Sequence, residues 1–189
     1  MIIDDDDNIY VLYHRNVNGH IQKINSNGEI IKTNEFNRSY DFYIGTSRNN
    51  IIYAIGKRSR DDLVIKIDNE LNEISSSTGL LSGALDIGVD SKGNAFVLYR
   101  ERVDKIDFNG VWKWYKDLNG ISILINEFDD IYVNGGSDIY CIDEDKNEIF
   151  RINMTALKKG ASNYIDKFSG HVTKFVGNDF EETYRKVVE

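Results

Sequence analysis

Apolar and polar positions along the chain follow a pattern that occurs four times. Its clearest copy spans residues 90–114, DSKGNAFVLYRERVDKIDFNGVWKW, and contains three short strands separated by turns. Turn-forming residues precede the apolar run Ala95–Tyr99, and the polar tip Arg100–Arg102 separates that run from the next strand, Val103–Ile106. Short apolar runs bounded in this way are typical of buried β-strands.

Weaker copies of the pattern begin at Asp4, Ser47 and Asn126. A further alternating segment precedes each of the last three copies, over residues 42–44, 85–89 and 121–125. Each unit is therefore predicted to be a four-stranded antiparallel meander of about 40 residues, the usual size of a β-propeller blade. The repeat is marked by four isoleucines spaced 43, 39 and 36 residues apart: Ile24, Ile67, Ile106 and Ile142.

The pattern predicts an all-β fold, a β-propeller of about four four-stranded blades with a short, partly helical C-terminal tail. Residues 1–153 hold the propeller repeats, and residues 154–189 form a C-terminal segment with a helix, a strand over 170–176 and a short helix. That strand is expected to complete the first blade and close the ring. The alternatives are an open ring, completion by copies from another chain, and, less favoured, a sandwich or open meander.

The pattern "Asp-x-x-Gly-Asn-aromatic-Val … Lys-Ile-Asp-x-Asn-Gly-x-x-Lys-Trp" is carried best by Asp90–Trp114. It resembles the repeats of bacterial β-propellers of the NHL and PQQ-like kind, and the resemblance covers roughly residues 1–153. Such repeats recur in lactonases, lyases, quinoprotein dehydrogenases, sensors, and the tail proteins of phages and phage-like particles. The resemblance therefore implies an architecture and a bacterial or phage origin, and it leaves the activity open.

Composition excludes several classes of protein. Apolar residues make up 41% of the chain, aromatic residues make up 12%, and the net charge is −8. These values indicate a globular protein and argue against general nucleic-acid binding. No apolar run is long enough to insert into a membrane, and the N-terminus lacks the features of a signal peptide, so the localisation stays open. The single cysteine, Cys141, is predicted to be a small core residue.

No catalytic residue, metal or cofactor is expected from the sequence. A quinoprotein cofactor does not fit one cysteine and four blades. The predicted inner strands are apolar apart from Asp86, so they lack the metal ligands of a propeller lactonase. His14, His20 and His171 lack the spacing of a zinc site, and Asp4–Asp7 is predicted to be a solvated turn rather than a calcium site. The chain is therefore expected not to be an enzyme.

Aromatic residues suggest an alternative, a carbohydrate-binding propeller. Tyr13 and Tyr99 are placed at loop mouths, where their rings could stack on sugars. Trp112 and Trp114 are predicted to share one face of a strand, because side chains of alternate strand residues point the same way. Packing between blades is the favoured role for these tryptophans.

Charge is predicted to differ between the two faces of the disc. Acidic residues concentrate in the turns of one face, and turn chemistry alone can explain them, because Asp favours turns. The loops of the other face, between the second and third strands of each blade, are rich in cations. This basic rim is the candidate binding site, formed by Arg15, Lys57, Arg58, Arg60, Arg100 and Arg102.

The favoured function is a non-enzymatic interaction or assembly module that binds a protein or an anionic surface, with a phage or phage-like particle as one setting. A protein partner or a homo-oligomer is expected, and a glycan is the second option. Nucleic-acid binding and membrane insertion are not expected. The remaining alternative is a hydrolase or lyase with its site in the central channel, which the apolar inner strands disfavour.

Overall fold

A computed structural model of the chain describes residues 1–4, 6–15, 18–36, 41–58, 61–77 and 79–154. The elements of this part are sixteen strands, grouped in four sheets of four strands each. Blade 1 contains β1 (Ile2–Ile3), β2 (Ile9–Arg15), β3 (Asn18–Ile24) and β4 (Ile30–Phe36). Blade 2 contains β5 (Asp41–Arg48), β6 (Ile51–Arg58), β7 (Asp61–Ile67) and β8 (Glu73–Ser76). Blade 3 contains β9 (Asp86–Val89), β10 (Ala95–Leu98), β11 (Arg102–Ile106) and β12 (Trp112–Asp117), and blade 4 contains β13 (Ser122–Ile125), β14 (Ile131–Asn134), β15 (Asp138–Ile142) and β16 (Glu148–Asn153).

Each sheet is an antiparallel meander in which strands follow one another in chain order. The first strands of neighbouring blades lie side by side, so they are the innermost strands of the propeller. The predicted all-β fold with four four-stranded blades is confirmed. The helix, the ring-closing strand and the short helix predicted beyond residue 154 lie outside the described residues.

Seven of the turns on one side of the sheets are built in a similar way. In the turn after β11, the Asp107 carboxylate accepts hydrogen bonds from the backbone N–H groups of Asn109 and Val111, both at 2.9 Å. Gly110 follows with a φ of 83°, a conformation that glycine adopts without strain. At six other positions the side chain of an Asp or Asn likewise accepts a hydrogen bond from the backbone N–H four residues further on, and in all but Asp90 also from the N–H two residues on: Asp4, Asn25, Asp68, Asp90, Asn126 and Asp143. This shared use of Asp and Asn explains why these turns repeat in the sequence.

A β-bulge interrupts the outermost strand pair of every blade. In blade 3 the bulge pairs Lys105 with Trp114 and Ile106 with Trp112. Because Lys105 and Ile106 are neighbours in a strand, they point to opposite faces, and their two tryptophan partners do so as well. The predicted shared face for Trp112 and Trp114 is therefore wrong, since the extra residue in the bulge breaks the alternation.

Three hydrophobic clusters hold neighbouring blades together. We call the side of a blade that packs on the following blade its forward face, and the opposite side its rear face. The second strand supplies both: Tyr53 and Ile55 of blade 2 point forward, and Ala95 and Val97 of blade 3 point to the rear against them. All four side chains are at most 1% exposed. Their burial is what drives the blades to stack.

A lysine reinforces each of these junctions, buried in two of them and half-buried in the first. Lys66 is 1% exposed, and its Nζ donates to the carbonyl oxygens of Gly93, Asp107 and Phe108 in blade 3. The ammonium group also lies 5.5 Å from the centre of the Tyr53 ring, its neighbour on the forward face. Lys23 and Lys105 occupy the same position in blades 1 and 3 and donate to the carbonyls of Asn69 and Glu144. We call these three residues the junction lysines.

Candidate functional site

The meander topology gives the propeller two different sides. The turns between the first and second strands and between the third and fourth strands lie on one side, the turn face. The loops between the second and third strands lie on the other side, the loop face. The predicted basic rim belongs to the loop face, at the 15–18, 58–61, 99–102 and 134–138 segments.

Acidic residues of the turn face have structural roles. Asp4 is 5% exposed, and its carboxylate accepts hydrogen bonds from the backbone N–H of Asn8 at 2.8 Å and from the Tyr10 hydroxyl at 2.8 Å. Asp107 forms an ion pair with Lys113, and this contact, together with the Val111 N–H, holds the pKa of Asp107 below its usual value. In the part of the chain that the structure describes, no three His, Cys, Asp or Glu side chains converge as a metal site requires.

Several cations of the turn face are paired with acidic residues of the same face. Lys92 lies 2.6 Å from Glu144 of the neighbouring blade. Arg48 of blade 2 reaches blade 4 directly, 3.5 Å from Asp129 and 3.4 Å from the carbonyl of Asn126. These contacts join blades to one another, so the charges of the turn face serve the fold.

Three cations of the loop face are exposed and, as far as the structure describes the chain, lack the ion pairs seen on the turn face. Arg15 ends β2, Lys57 lies near the end of β6, and Arg100 lies in the loop after β10; all three are exposed. None of the three has an ion-pair partner among the described residues. Arg58 is the last residue of β6, and Arg60 lies outside the described residues.

Acidic residues also occur on the loop face. Asp61 stands opposite Arg58 in the β6–β7 pair, and Glu101 follows Arg100 in an exposed loop. Asp117 stands opposite Arg102 across β11 and β12. The fourth loop, residues 135–137, is uncharged, as the sequence indicates. The separation of charge between the two faces therefore stays a prediction.

Arg102 differs from the other cations of the predicted rim because it pairs within its own strand. Its guanidinium lies 2.6 Å from the carboxylate of Asp104, which is 1% exposed, and 4.8 Å from the Tyr115 ring centre. Burial raises the pKa of Asp104, and the Arg102 guanidinium opposes this shift. The contacts assign Arg102 a structural role.

Removing the Arg102 side chain is expected to lower the free energy of unfolding by about 2 kcal/mol, because a buried carboxylate then loses its counter-charge. Urea unfolding of the Arg102→Ala variant measures this loss. Adding Asp104→Asn should restore part of it, since an amide needs no counter-charge. An Arg102→Ala variant as stable as the wild type would show that Asp104 does not depend on the pair.

Of the aromatic residues considered for sugar binding, three are buried or contact other side chains of the fold, and Trp112 is exposed. Tyr99 is 5% exposed, so its ring is not available at the surface. Tyr13 stacks on His20 with ring centres 5.0 Å apart. Trp114 packs into the cluster between blades 3 and 4 and donates from Nε1 to the Glu144 carbonyl at 3.2 Å. Trp112 is 47% exposed and lines an open groove of about 410 Å³ on the outside of blade 3.

Residues considered for other chemistry are built into the core or the junctions. Cys141 is 1% exposed, and burial raises the pKa of its thiol to about 12, which agrees with a core residue. Asp86 accepts hydrogen bonds from the backbone N–H groups of Ile87 and Ile123, both at 2.9 Å, and so connects blades 3 and 4. Among the described residues, no helix has the length and apolar character that a membrane crossing needs.

The junction lysines were not singled out from the sequence, although it holds a signal for them. The first three copies end their third strand with a lysine and an isoleucine, at 23–24, 66–67 and 105–106. The fourth copy has Cys141 before Ile142 instead. A lysine that recurs in strands otherwise destined for the core indicates a buried acceptor, and the carbonyls of the following blade supply it.

Comparisons with known proteins establish the architecture. No protein-family model matches the sequence, and no curated protein does. Among solved structures, a protein of unknown function from Bacteroides caccae superposes with a TM-score of 0.60 at 13% identity, covering 82% of this chain and 60% of that one. The Dos1 propeller and the Neurospora crassa Pan2 WD40 domain both give a TM-score of 0.58 at 11% identity, covering 80% of this chain and 46% and 48% of those chains.

These likenesses show a β-propeller fold and nothing about activity. The chain spans between 46% and 60% of the length of these three structures. The four described blades therefore correspond to about half of the Dos1 propeller and of the Pan2 WD40 domain.

Proposed function

We propose that the protein is a non-enzymatic interaction or assembly module that binds an anionic surface, on a protein or another macromolecule, through its loop face. The residues assigned to this contact are Arg15, Lys57 and Arg100, with Arg58 and Arg60 on the same loops. Arg102 supports the loop that carries Arg100.

One observation carries this proposal, the contrast in how cations are used on the two faces. On the turn face, Lys32, Lys92, Lys113 and Arg48 each lie within 3.5 Å of a carboxylate, and within the described part of the chain the exposed Lys146 is the exception. On the loop face, three exposed cations on consecutive blades have no such partner among the described residues. Unpaired cations at corresponding places can complement an anionic partner and speed its capture.

Finer points of the proposal come from the repeat sequence. Its likeness to NHL and PQQ-like repeats favours a bacterial or phage protein, and assembly into a phage or phage-like particle would suit a module with binding loops and no described metal site. Carbohydrate binding is the second candidate, and the exposed Trp112 beside its groove favours it. A glycan array separates the two, because an anion-binding module should show no preference among neutral glycans.

Reversing the charge of the loop face tests the proposal. The double variant Lys57→Glu and Arg100→Glu should bind immobilised heparin, used as a polyanion probe, about tenfold more weakly than the wild type at low salt. Its affinity should also depend less on salt concentration, since fewer cations contact the probe.

Lys146→Glu provides the matched control, because Lys146 is an exposed cation of the turn face. This variant should keep wild-type affinity while changing the net charge in the same direction. The loop face is not the binding site if the wild type fails to bind the polyanion. The same conclusion follows if Lys146→Glu weakens binding as much, per reversed charge, as the double variant does.

A further inference from the structure

The rear face of blade 1 carries an apolar row that no described blade covers. Ile3, Ile9, Ile24 and Ile30 pair with one another in order across the four strands. Ile9 and Ile24 are half-buried, Ile3 is 54% exposed and Ile30 is 59% exposed. Four isoleucines therefore lie side by side on a surface open to water.

The same positions in the other blades show what such a row normally contacts. The counterparts of Ile9 and Ile24 are Ile52 and Ile67 in blade 2, and Ile131 and Ile142 in blade 4. All four are fully buried against the forward face of the preceding blade. The rear face of blade 1 thus has the composition of a blade junction.

Ile30 extends this row to the outermost strand. Blades 2 and 4 have the exposed acids Glu73 and Glu148 at the corresponding place, and blade 3 has Trp112, which is 47% exposed. Ile30 therefore widens the exposed apolar surface on the rear face of blade 1.

Blade 4 supplies the complementary surface. Its second strand places Tyr132 where the other blades have the forward-facing Tyr10, Tyr53 and Phe96. Tyr132 is 6% exposed and Cys141 beside it is 1% exposed, so these two side chains are already buried. Next to Tyr132 lies a groove of about 320 Å³, lined by the apolar Leu124, Ile139 and Met154 and by the polar Ser122 and Asn134. Leu124 is 61% exposed, so the open part of the forward face of blade 4 is the groove around Leu124.

These two faces do not pack on each other in the described part of the chain. The three hydrophobic clusters join blade 1 to 2, blade 2 to 3 and blade 3 to 4, and no cluster among the described residues joins blade 4 to blade 1. The four blades match about half of the larger propellers on which they superpose. Two such arcs would together span one ring of that size.

We propose that two copies of this chain associate head to tail, with the forward face of blade 4 in each copy packed on the isoleucine row of blade 1 in the other. A contact between two different faces of the same chain closes into a ring when the rotation between copies allows it. Cys141 stands at the position of a junction lysine in blade 4, so this junction has apolar contacts without the ammonium group.

The mass of the full 189-residue chain in solution tests the proposal, measured by analytical ultracentrifugation over about a hundredfold range of concentration. The wild type should approach twice 21.7 kDa at the upper end. Leu124→Asp and Ile30→Asp should each remain at the mass of one chain over the same range. Leu81→Asp is the matched control, because Leu81 is 48% exposed and lies on neither face, and it should associate like the wild type.

Mixing variants distinguishes the head-to-tail arrangement from one in which each face packs on the same face of the other copy. A copy with Leu124→Asp keeps an intact blade 1 row, and a copy with Ile30→Asp keeps an intact blade 4 face. Their mixture should form mixed dimers through one remaining junction, seen by native mass spectrometry with one variant isotope-labelled. A wild type that stays at the mass of one chain would overturn the proposal and assign the row to residues 155–189 or to another protein. Association unaffected by Leu124→Asp and Ile30→Asp, or lost equally in Leu81→Asp, would overturn it too.

Discussion

Leu98→Ala should lower the free energy of unfolding by about 3 kcal/mol, the largest stability loss we expect from a single truncation. Leu98 is fully buried in the cluster between blades 3 and 4. Its Cδ1 atom lies directly against Gly120, where an added Cβ would collide with it, so the chain passes closely over the Leu98 side chain. Hydrogen-bonded strands on both sides keep the structure from collapsing into the cavity, which is why the loss exceeds the transfer free energy of the side chain.

Leu124→Ala is the matched control for this prediction. It removes the same atoms from a side chain that is 61% exposed, so the loss should stay within about 0.5 kcal/mol. Urea unfolding of dilute protein measures both variants without a contribution from association. Equal losses in the two variants would show that blades 3 and 4 do not pack through Leu98.

Lys66→Met should cost about 2 kcal/mol of stability at pH 7. The substitution keeps the length and apolar stem of the side chain and removes the ammonium group that donates to three carbonyls of blade 3. Those carbonyls lie in two turns of the next blade, so their loss of a donor weakens the junction as well as the turns. Lys23→Met is the control: Lys23 is half-buried and donates to one carbonyl at 3.3 Å, and its loss should be smaller.

The pH dependence of the Lys66→Met effect has a defined sign. Burial lowers the pKa of Lys66 to about 8, from 10.5 when unburied. Between these values the unfolded chain binds a proton that the folded protein has released, so the wild type gains stability as pH rises. The gap between the wild type and Lys66→Met should therefore widen from pH 8 to 10.5, as measured by denaturant unfolding. A gap that narrows over this range would contradict the buried position of the ammonium group.

The blade architecture could be predicted from the sequence because its signal is local and repeated. Ile24, Ile67, Ile106 and Ile142 mark the same strand in each blade, and the Asp and Asn turns set the strand ends through hydrogen bonds within five residues. Such features need no knowledge of distant parts of the chain. The fold class and the blade count therefore followed from periodicity and turn chemistry alone.

Features that depend on register or on the neighbouring blade could not be predicted in the same way. The bulge in blade 3 adds one residue to a strand and places Trp112 and Trp114 on opposite faces. The alternation of apolar and polar residues in the sequence does not reveal this bulge. Arg102 has the same charge as Arg100 in the sequence, and only the register that places Asp104 beside it shows its structural role. The role of Lys66 depends on carbonyl acceptors in two turns of blade 3, which lie 27 to 42 residues further along the chain.

Each blade covers the rear face of the next, while the rear face of blade 1 is left open by the described blades. Val11, Val97 and Val133 hold the same position on the rear faces of blades 1, 3 and 4. Val97 and Val133 are fully buried, and Val11 is not. Replacing each in turn by cysteine gives three matched sites, and Cys141 is buried enough to contribute little background.

The labelling rate of these cysteines in dilute native protein tests this arrangement most directly. The cysteine at position 11 should react at least about tenfold faster than those at positions 97 and 133, which become accessible only when blades separate. Equal protection at all three positions would show that the chain covers the first blade itself, and would contradict the open arrangement.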